Sequence, residues 1–144
     1  MSAEGAKRPP KPFISPAEHM RFFWDAAKEH RLAIQRCETC GHYIHWPLLL
    51  CPRCHGDRLS PVEVRGRGTV YSYTVVHHIF NPAFADDAPY VLALIELDEQ
   101  PGLRLLTNIV DCNHDALRTG MRVQVTFEDY EGYTLPQFRP EDAT

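Results

Sequence analysis

No apolar run in these 144 residues approaches the ~18 needed to cross a bilayer, and Met1 to Pro12 holds no apolar segment that reads as a secretion signal. Both absences point to a cytoplasmic chain, which argues against a disulfide framework, since disulfides require an oxidising compartment. Also missing are a GxSxG elbow, a glycine-rich phosphate loop with its lysine, and the βαβ pattern that accompanies a thioredoxin-like CxxC. No repeat of 20 to 50 residues is visible, and the only low-complexity tract is a Pro/Lys-rich beginning. Excess positive charge is lacking too: the formal net charge is −4. Residues 1–30 hold five Lys/Arg against four Asp/Glu, residues 31–67 six against three, and residues 68–144 four against twelve. So acidic a C-terminal part is a poor electrostatic match for a phosphate backbone. A length of 144 residues and 44% hydrophobic residues suit one globular domain or two very small ones.

What the chain does have is a concentrated set of cysteines. Four of the five fall into two CxxC pairs, Cys37/Cys40 and Cys51/Cys54. Each pair puts two sulfurs at the tip of a tight turn, and two facing turns supply the four soft ligands of a tetrahedral Zn²⁺ site. Iron in a rubredoxin-like site is the alternative. Four thiolates leave no open position for water or substrate, so the metal is structural. His42, His45 and His55 lie near, but with four cysteines so placed they read as ordinary loop and strand residues.

Around this site the chain divides into an arm and N-terminal helix (1–31), a zinc ribbon (32–61) and a β-rich part (62–144). Lys7, Arg8, Pro9, Pro10, Lys11 and Pro12 predict an extended, solvated arm, mobile or ordered only against a partner. Ser15, Pro16 and Glu18 then provide an N-cap hydroxyl, a first-turn proline and the acidic member of a capping box, predicting a helix from about Pro16 to His30. Met20, Phe23, Trp24 and Ala27 recur at helical spacing, with Phe22 partly off the stripe. That stripe fits either the chain's own core or a partner surface. Leu32, Ile34 and Arg36 alternate into Cys37, and Tyr43 to Trp46 reads as the return strand. So small a ribbon buries little apolar surface and needs its metal to fold.

From Val62 the pattern is strands, reached through a short junction at 57–64. Gly66 and Gly68 suit a bend opening a long strand, 69–76, in which alternation places Tyr71 and Tyr73 on one face. Strands at 90–97 and 103–110 form a hairpin across Asp98 to Gly102. A helical turn follows near Ala116 and Leu117, then strands at 122–128 and about 135–139. Five strands with a small helix between the third and fourth match an OB-fold barrel. The expected class is mainly β with an N-terminal α-helix: a rubredoxin-like zinc ribbon followed by a five-stranded OB-fold, two lobes of one rigid unit.

With these elements in place the chain resembles a known family, the zinc-ribbon plus OB-fold proteins called domain of unknown function 35. The resemblance covers nearly the whole chain and rests on several stretches together. These are Arg21–Trp24; Cys37, Cys40 and Gly41; Pro52 within Cys51 to Cys54; Gly66, Gly68 and Val70–Thr74; Pro89–Val91; Gly120, Met121 and Val123; and Pro136, Phe138 and Pro140. His30, where glycine is expected, is the one departure. The resemblance implies a non-catalytic accessory subunit that associates with a thiolase-like enzyme, a thiolase or a steroid side-chain aldolase, and helps bind or channel an acyl-CoA thioester.

A CoA ester brings phosphates and an adenine, which arginines and an aromatic or guanidinium plane recognise. Arg36, Arg53, Arg65 and Arg67, with Trp46 near them, lie in the basic portion of the chain and are the candidate CoA contacts. Phe22, Phe23, Trp24, Phe80 and Phe84 are the candidate partner contacts. His77 and His78, with Asp86 and Asp87 close by, are the best acid/base candidates, although such loop residues more often meet solvent or a partner. Cys112, the unpaired cysteine, reads as a structural thiol. The competing class is nucleic-acid binding, with Tyr71 and Tyr73 as stacking platforms, and the acidic barrel weighs against it.

Overall fold

A computed structural model of the protein describes residues 10–12 and 14–141. The expected mobile arm falls mostly outside these residues, but Lys11, Pro12 and Ile14 are placed, and they lie against the barrel. The helix begins later than its sequence signature predicts: a 3-10 turn at Glu18–Met20 leads into α1, Arg21–Lys28. Ala17 is extended, and the N-caps of the turn and of α1, Ala17 and Met20, make no side-chain capping bond. The Ser15 signature is therefore not used, because the chain is still extended there. Phe23, Ala26 and Ala27 are the buried face of α1.

The ribbon is a three-stranded antiparallel sheet in the order β2-β1-β3, made of β1 (Leu32–Cys37), β2 (Tyr43–Ile44) and β3 (Leu59–Val64). The junction after the second cysteine pair is thus mostly strand, and β3 pairs with β1 along its whole length, from Leu32↔Val64 to Cys37↔Leu59. Val64 then hands the chain to the barrel through Gly66.

The barrel consists of β4 (Arg67–Val76), β5 (Tyr90–Leu97), β6 (Arg104–Ile109), β7 (Arg122–Tyr130) and β8 (Tyr133–Pro140). It closes in the order β4-β5-β6-β8-β7, β7 returning to β4, with β6 and β8 parallel; a 3-10 turn at His114–Ala116 sits between β6 and β7. This is OB-fold topology. The strict alternation expected for β4 fails at one place. A bulge between Val70 and Ser72 leaves Tyr71 out of the pairing with β5. Val70 is buried and Tyr73 packs against the core, while Tyr71 is 50% exposed with the Arg104 guanidinium 3.7 Å from its ring centre. The bulge adds a residue and so sends the two tyrosines to opposite sides.

One apolar core runs through both lobes. Phe23 of α1, Leu32 and Ile34 of β1 and Val64 of β3 belong to the same buried cluster as Val70, Ile95, Val123 and Phe138 of the barrel. Two glutamines add polar ties. Gln100, in the β5–β6 turn, accepts from Tyr43 N at 2.9 Å and donates to Tyr43 O at 3.0 Å, joining barrel to ribbon. Gln35, 6% exposed, bonds the backbone of Leu48 the same way, at 2.8 and 2.9 Å.

The glycines before β4 are required by close approach. Gly66 has φ +71°, and a Cβ there would overlap Val125; a Cβ on Gly68 would overlap the backbone carbonyl of Glu96 and sit 2.8 Å from Ile95. Backbone cannot yield as a flexible side chain can. Gly68→Ala is expected to lower unfolding free energy by about 1–3 kcal/mol, read as a reduced urea midpoint of the zinc-loaded protein.

Candidate metal centre and ligand surfaces

The two cysteine turns are built alike. In the first, Gly41 N bonds Cys37 O at 2.9 Å with Gly41 at φ +77°; in the second, His55 N bonds Cys51 O at 2.9 Å with His55 at φ +64°. The left-handed residue after each pair turns the chain sharply enough to keep both sulfurs on one side. Arg53 N and Gly56 N point at the sulfurs of Cys51 and Cys54, each at 3.4 Å, as donors to thiolate.

The four sulfurs lie within 4.8 Å of one another, with Cys37–Cys54 at 3.5 Å and Cys40–Cys51 at 3.6 Å. Zn–S bonds of about 2.3 Å in a tetrahedron place sulfurs roughly 3.8 Å apart, so the cluster fits the ion. The backbone N–H of Cys40 holds the Cys37 thiol down at about 6, against the opposing effect of burial and with help from Thr39 N–H and the neighbouring thiols. Thiolate is the form that binds metal. Cys37 and Cys51 are buried with Ile44 and Leu59 in a second, small cluster apart from the main core. This is a structural Zn²⁺ site in which all four positions are taken by protein.

The candidate CoA contacts do not converge on one point. Arg36 donates to Gly41 O at 3.0 Å and stacks over Tyr43 with 4.7 Å to the ring centre. Arg67 faces Glu141 at 3.5 Å, within a network in which Arg122 grips Asp98 through two bonds of 2.6 Å. Arg53 and Arg65 are exposed. Trp46 is 43% exposed and packs on Phe23 and Trp24, with ring centres 5.0 and 6.2 Å away.

The candidate partner contacts separate as well. Phe23, 4% exposed, belongs to the chain's own core and presents no surface, because the helix needs that face to close over β1 and β8. Phe22 and Trp24 are half-buried beside it. Phe80 is 90% exposed, and Phe84 is half-buried near Lys11. An apolar surface that sequence reasoning missed is the run Leu48, Leu49 and Leu50, exposed at 45, 72 and 54%. Its signal was present as three consecutive leucines inside the cysteine loop.

His77 and His78 are exposed, and among the described residues neither imidazole forms a hydrogen bond or ion pair. Asp87 is engaged by Lys11 at 2.8 Å. The Cys112 thiol donates to Asn113 O at 3.2 Å, and burial raises its pKa, as for an unreactive thiol. With Tyr71 and Tyr73 on opposite sides, no two-ring stacking platform forms there. Among the described residues no helix is long and apolar enough to cross a membrane.

Fold and site together define a rubredoxin-like zinc ribbon joined to an OB-fold. Family models described as the ChsH2 rubredoxin-like zinc ribbon domain and the ChsH2 C-terminal OB-fold domain match residues 24–60 and 61–128. The chain belongs to this family, the DUF35 proteins. It is 43% identical over 132 residues to a probable enoyl-CoA hydratase alpha subunit of Thermomonospora curvata, covering 91% of this chain and 40% of that one. The chain thus spans well under half the length of that relative. It is 37% identical to a DUF35 domain-containing scaffold protein of Methanocaldococcus jannaschii, covering 72% of this chain and 73% of that protein. Among solved structures it resembles a chain of the Ltp2-ChsH2(DUF35) aldolase, with TM-score 0.82 and 41% identity over 90% of this chain and 100% of that one.

Two outcomes are expected at the ribbon. Cys51→Ser leaves three thiolates around the ion; it should lower bound zinc well below one per chain and disorder residues 37–56, read by metal analysis and loss of their amide protection, while barrel amides stay protected. His45 is depressed by burial to about 4, against 6.5 when free. A depressed histidine contributes stability that is fully present above pH 6.5 and lost as pH falls through its folded value, up to roughly 3 kcal/mol. Between pH 6.5 and 4.5 the urea midpoint of His45→Phe should therefore fall less steeply than that of the unaltered protein.

Proposed function

We propose that the protein is an accessory subunit, non-catalytic by itself, that associates with a thiolase-like enzyme and helps bind or channel an acyl-CoA thioester. The observation that carries this reading is the likeness along 90% of the chain to the DUF35 component of an aldolase. The names of other relatives, hydratase alpha subunits and a scaffold protein, agree with a subunit role. The closed metal site supports it physically, since zinc held by four cysteines has no position left to activate water or substrate. Exposed Phe80, Trp46 and Leu48 to Leu50 supply the apolar surface that a partner's interface core requires.

In this reading Arg36, Arg53, Arg65 and Arg67, with Trp46, face the nucleotide end of the CoA ester, and the thioester reaches into the partner. Exposed guanidinium groups and a half-exposed indole have the chemistry for phosphate and adenine. Their dispersion means that the partner must complete the site. The protein works in the cytoplasm, where CoA esters are handled.

The test is to purify the protein with its associates from the native host and assay the complex on acyl-CoA substrates. A co-purifying thiolase-like enzyme with acyl-CoA activity is the expected result; a lone chain inert towards CoA esters overturns it. In that complex, Arg65→Ala with Arg67→Ala should weaken CoA-ester affinity about tenfold, the loss of one or two charge-assisted contacts. Unchanged affinity removes the nucleotide end from this position.

A further inference from the structure

A cleft of about 620 Å³ lies on the barrel wall between β5, β6, β7 and β8, the loop before β5, and the described part of the N-terminal arm. Its floor is largely apolar, with Tyr90 and Leu92 of β5, Ile109 of β6, Tyr130 of β7, and Tyr133 and Leu135 of β8. The volume falls in the range of small-molecule sites, which combine such linings with a few placed polar groups.

Two amides are those polar groups. Gln137 lines the cleft, is only 7% exposed, and its side chain makes no hydrogen bond among the described residues. Neither polar atom of this amide is among the fully buried, unsatisfied ones, so the group opens to the cleft, where a ligand can take the place of water. Asn108 lines the cleft as well and gives its Nδ2 to Val91 O at 2.9 Å.

The described part of the arm lines one side of the cleft. Lys11 Nζ meets Asp87 at 2.8 Å and the Tyr130 hydroxyl at 3.2 Å, and stands 4.7 and 5.4 Å from the ring centres of Tyr130 and Phe84. Burial opposes the charge on Lys11, but its bonds to Asp87 and Tyr130 prevail and raise its pKa. Pro12 and Ile14 extend the apolar lining on the arm's side. The cation at the rim is already paired with Asp87, and Glu128 adds a further negative group. Among the described residues lining the cleft the one cation is paired, and Asp86 lies there too, so this lining favours an uncharged ligand over a phosphate.

We propose that this cleft is a binding site for an uncharged, largely apolar small molecule that presents a carbonyl or hydroxyl to Gln137, held under the strap that Lys11 fastens. It lies apart from the zinc turns and from the candidate CoA arginines, and it stands whether or not the subunit reading holds.

The experiment uses the whole zinc-loaded chain and two fluorescent probes, neutral Nile red, which carries a carbonyl, and anionic anilinonaphthalene sulfonate. Nile red should bind saturably, one per chain, and shift the side-chain amide signals of Gln137 in a ¹H–¹⁵N spectrum; the sulfonate should bind at least tenfold more weakly. Leu92→Trp, which fills the floor, should cut Nile red affinity tenfold or more, with zinc content and circular dichroism unchanged. Lys11→Ala should release the probe about three- to tenfold faster, since the clasp is a charge-assisted contact. Absence of saturable binding, an unmoved Gln137 amide, equal affinity for the sulfonate, or full binding by folded Leu92→Trp would each overturn the site. Unchanged release from Lys11→Ala overturns the strap. Should Leu92→Trp fail to fold, the Gln137 signal in the unaltered protein decides.

Discussion

Four thiolates around one ion hold together a part of the chain that could not hold itself. The cluster surrounding them contains Cys37, Ile44 and Cys51, with Leu59 packed beside them, far too little apolar surface to fix two tight turns. Metal binding therefore supplies the folding free energy of the turns. The consequence extends beyond them: Cys37 ends β1, and β1 carries Leu32 and Ile34 into the core shared with the barrel. β3 pairs along the whole of β1 and then becomes the approach to β4. Ordering the sulfurs thus fixes one end of a strand whose other end lies under α1.

The two lobes are joined by packing and, at a separate place, by a side-chain amide. Packing comes from α1, whose buried face lies between β1 and β8, so that one helix seals ribbon and barrel together. The polar tie is Gln100, which, like Gln35 within the ribbon, uses its amide as a peptide group would, donating and accepting with a single backbone residue. A paired amide of this kind buries its polar atoms at little cost, whereas among the described residues the Gln137 side chain in the cleft makes no such bond. That contrast separates the two amides that hold backbone from the one that lines the cleft.

Much of this was legible in the sequence. The CxxC spacing reads directly because metal ligation fixes both residue type and separation. β5 reads well because it is apolar on nearly both faces, as a central strand is, and β7 because its apolar and polar residues alternate. Other features were hidden for identifiable reasons. The Ser15 and Glu18 signature is local, and an arm drawn along the barrel overrides it. β3 contains Pro61 and Glu63 and looks like a linker; it is a strand because β1 offers it a full pairing edge. The bulge at Tyr71 comes from the mismatch between β4 and β5, so no pattern within β4 reveals it. The cleft draws its lining from four strands, a loop and the arm, and no window of the sequence contains it. The arginines were easy to list, but where their side chains go depends on neighbours such as Tyr43 and Glu141.

The bond between Gln100 and Tyr43 carries a consequence beyond joining the lobes. β2 is the outer strand of the ribbon sheet, and the outward N–H and C=O of Tyr43 are the groups through which a foreign strand would add itself. The amide of Gln100 occupies both. A single side chain from the barrel therefore acts as a blunt end to the ribbon, guarding a two-residue edge against templated self-association. A chain with Gln100 replaced would keep its metal and its barrel yet offer a growth point for aggregation.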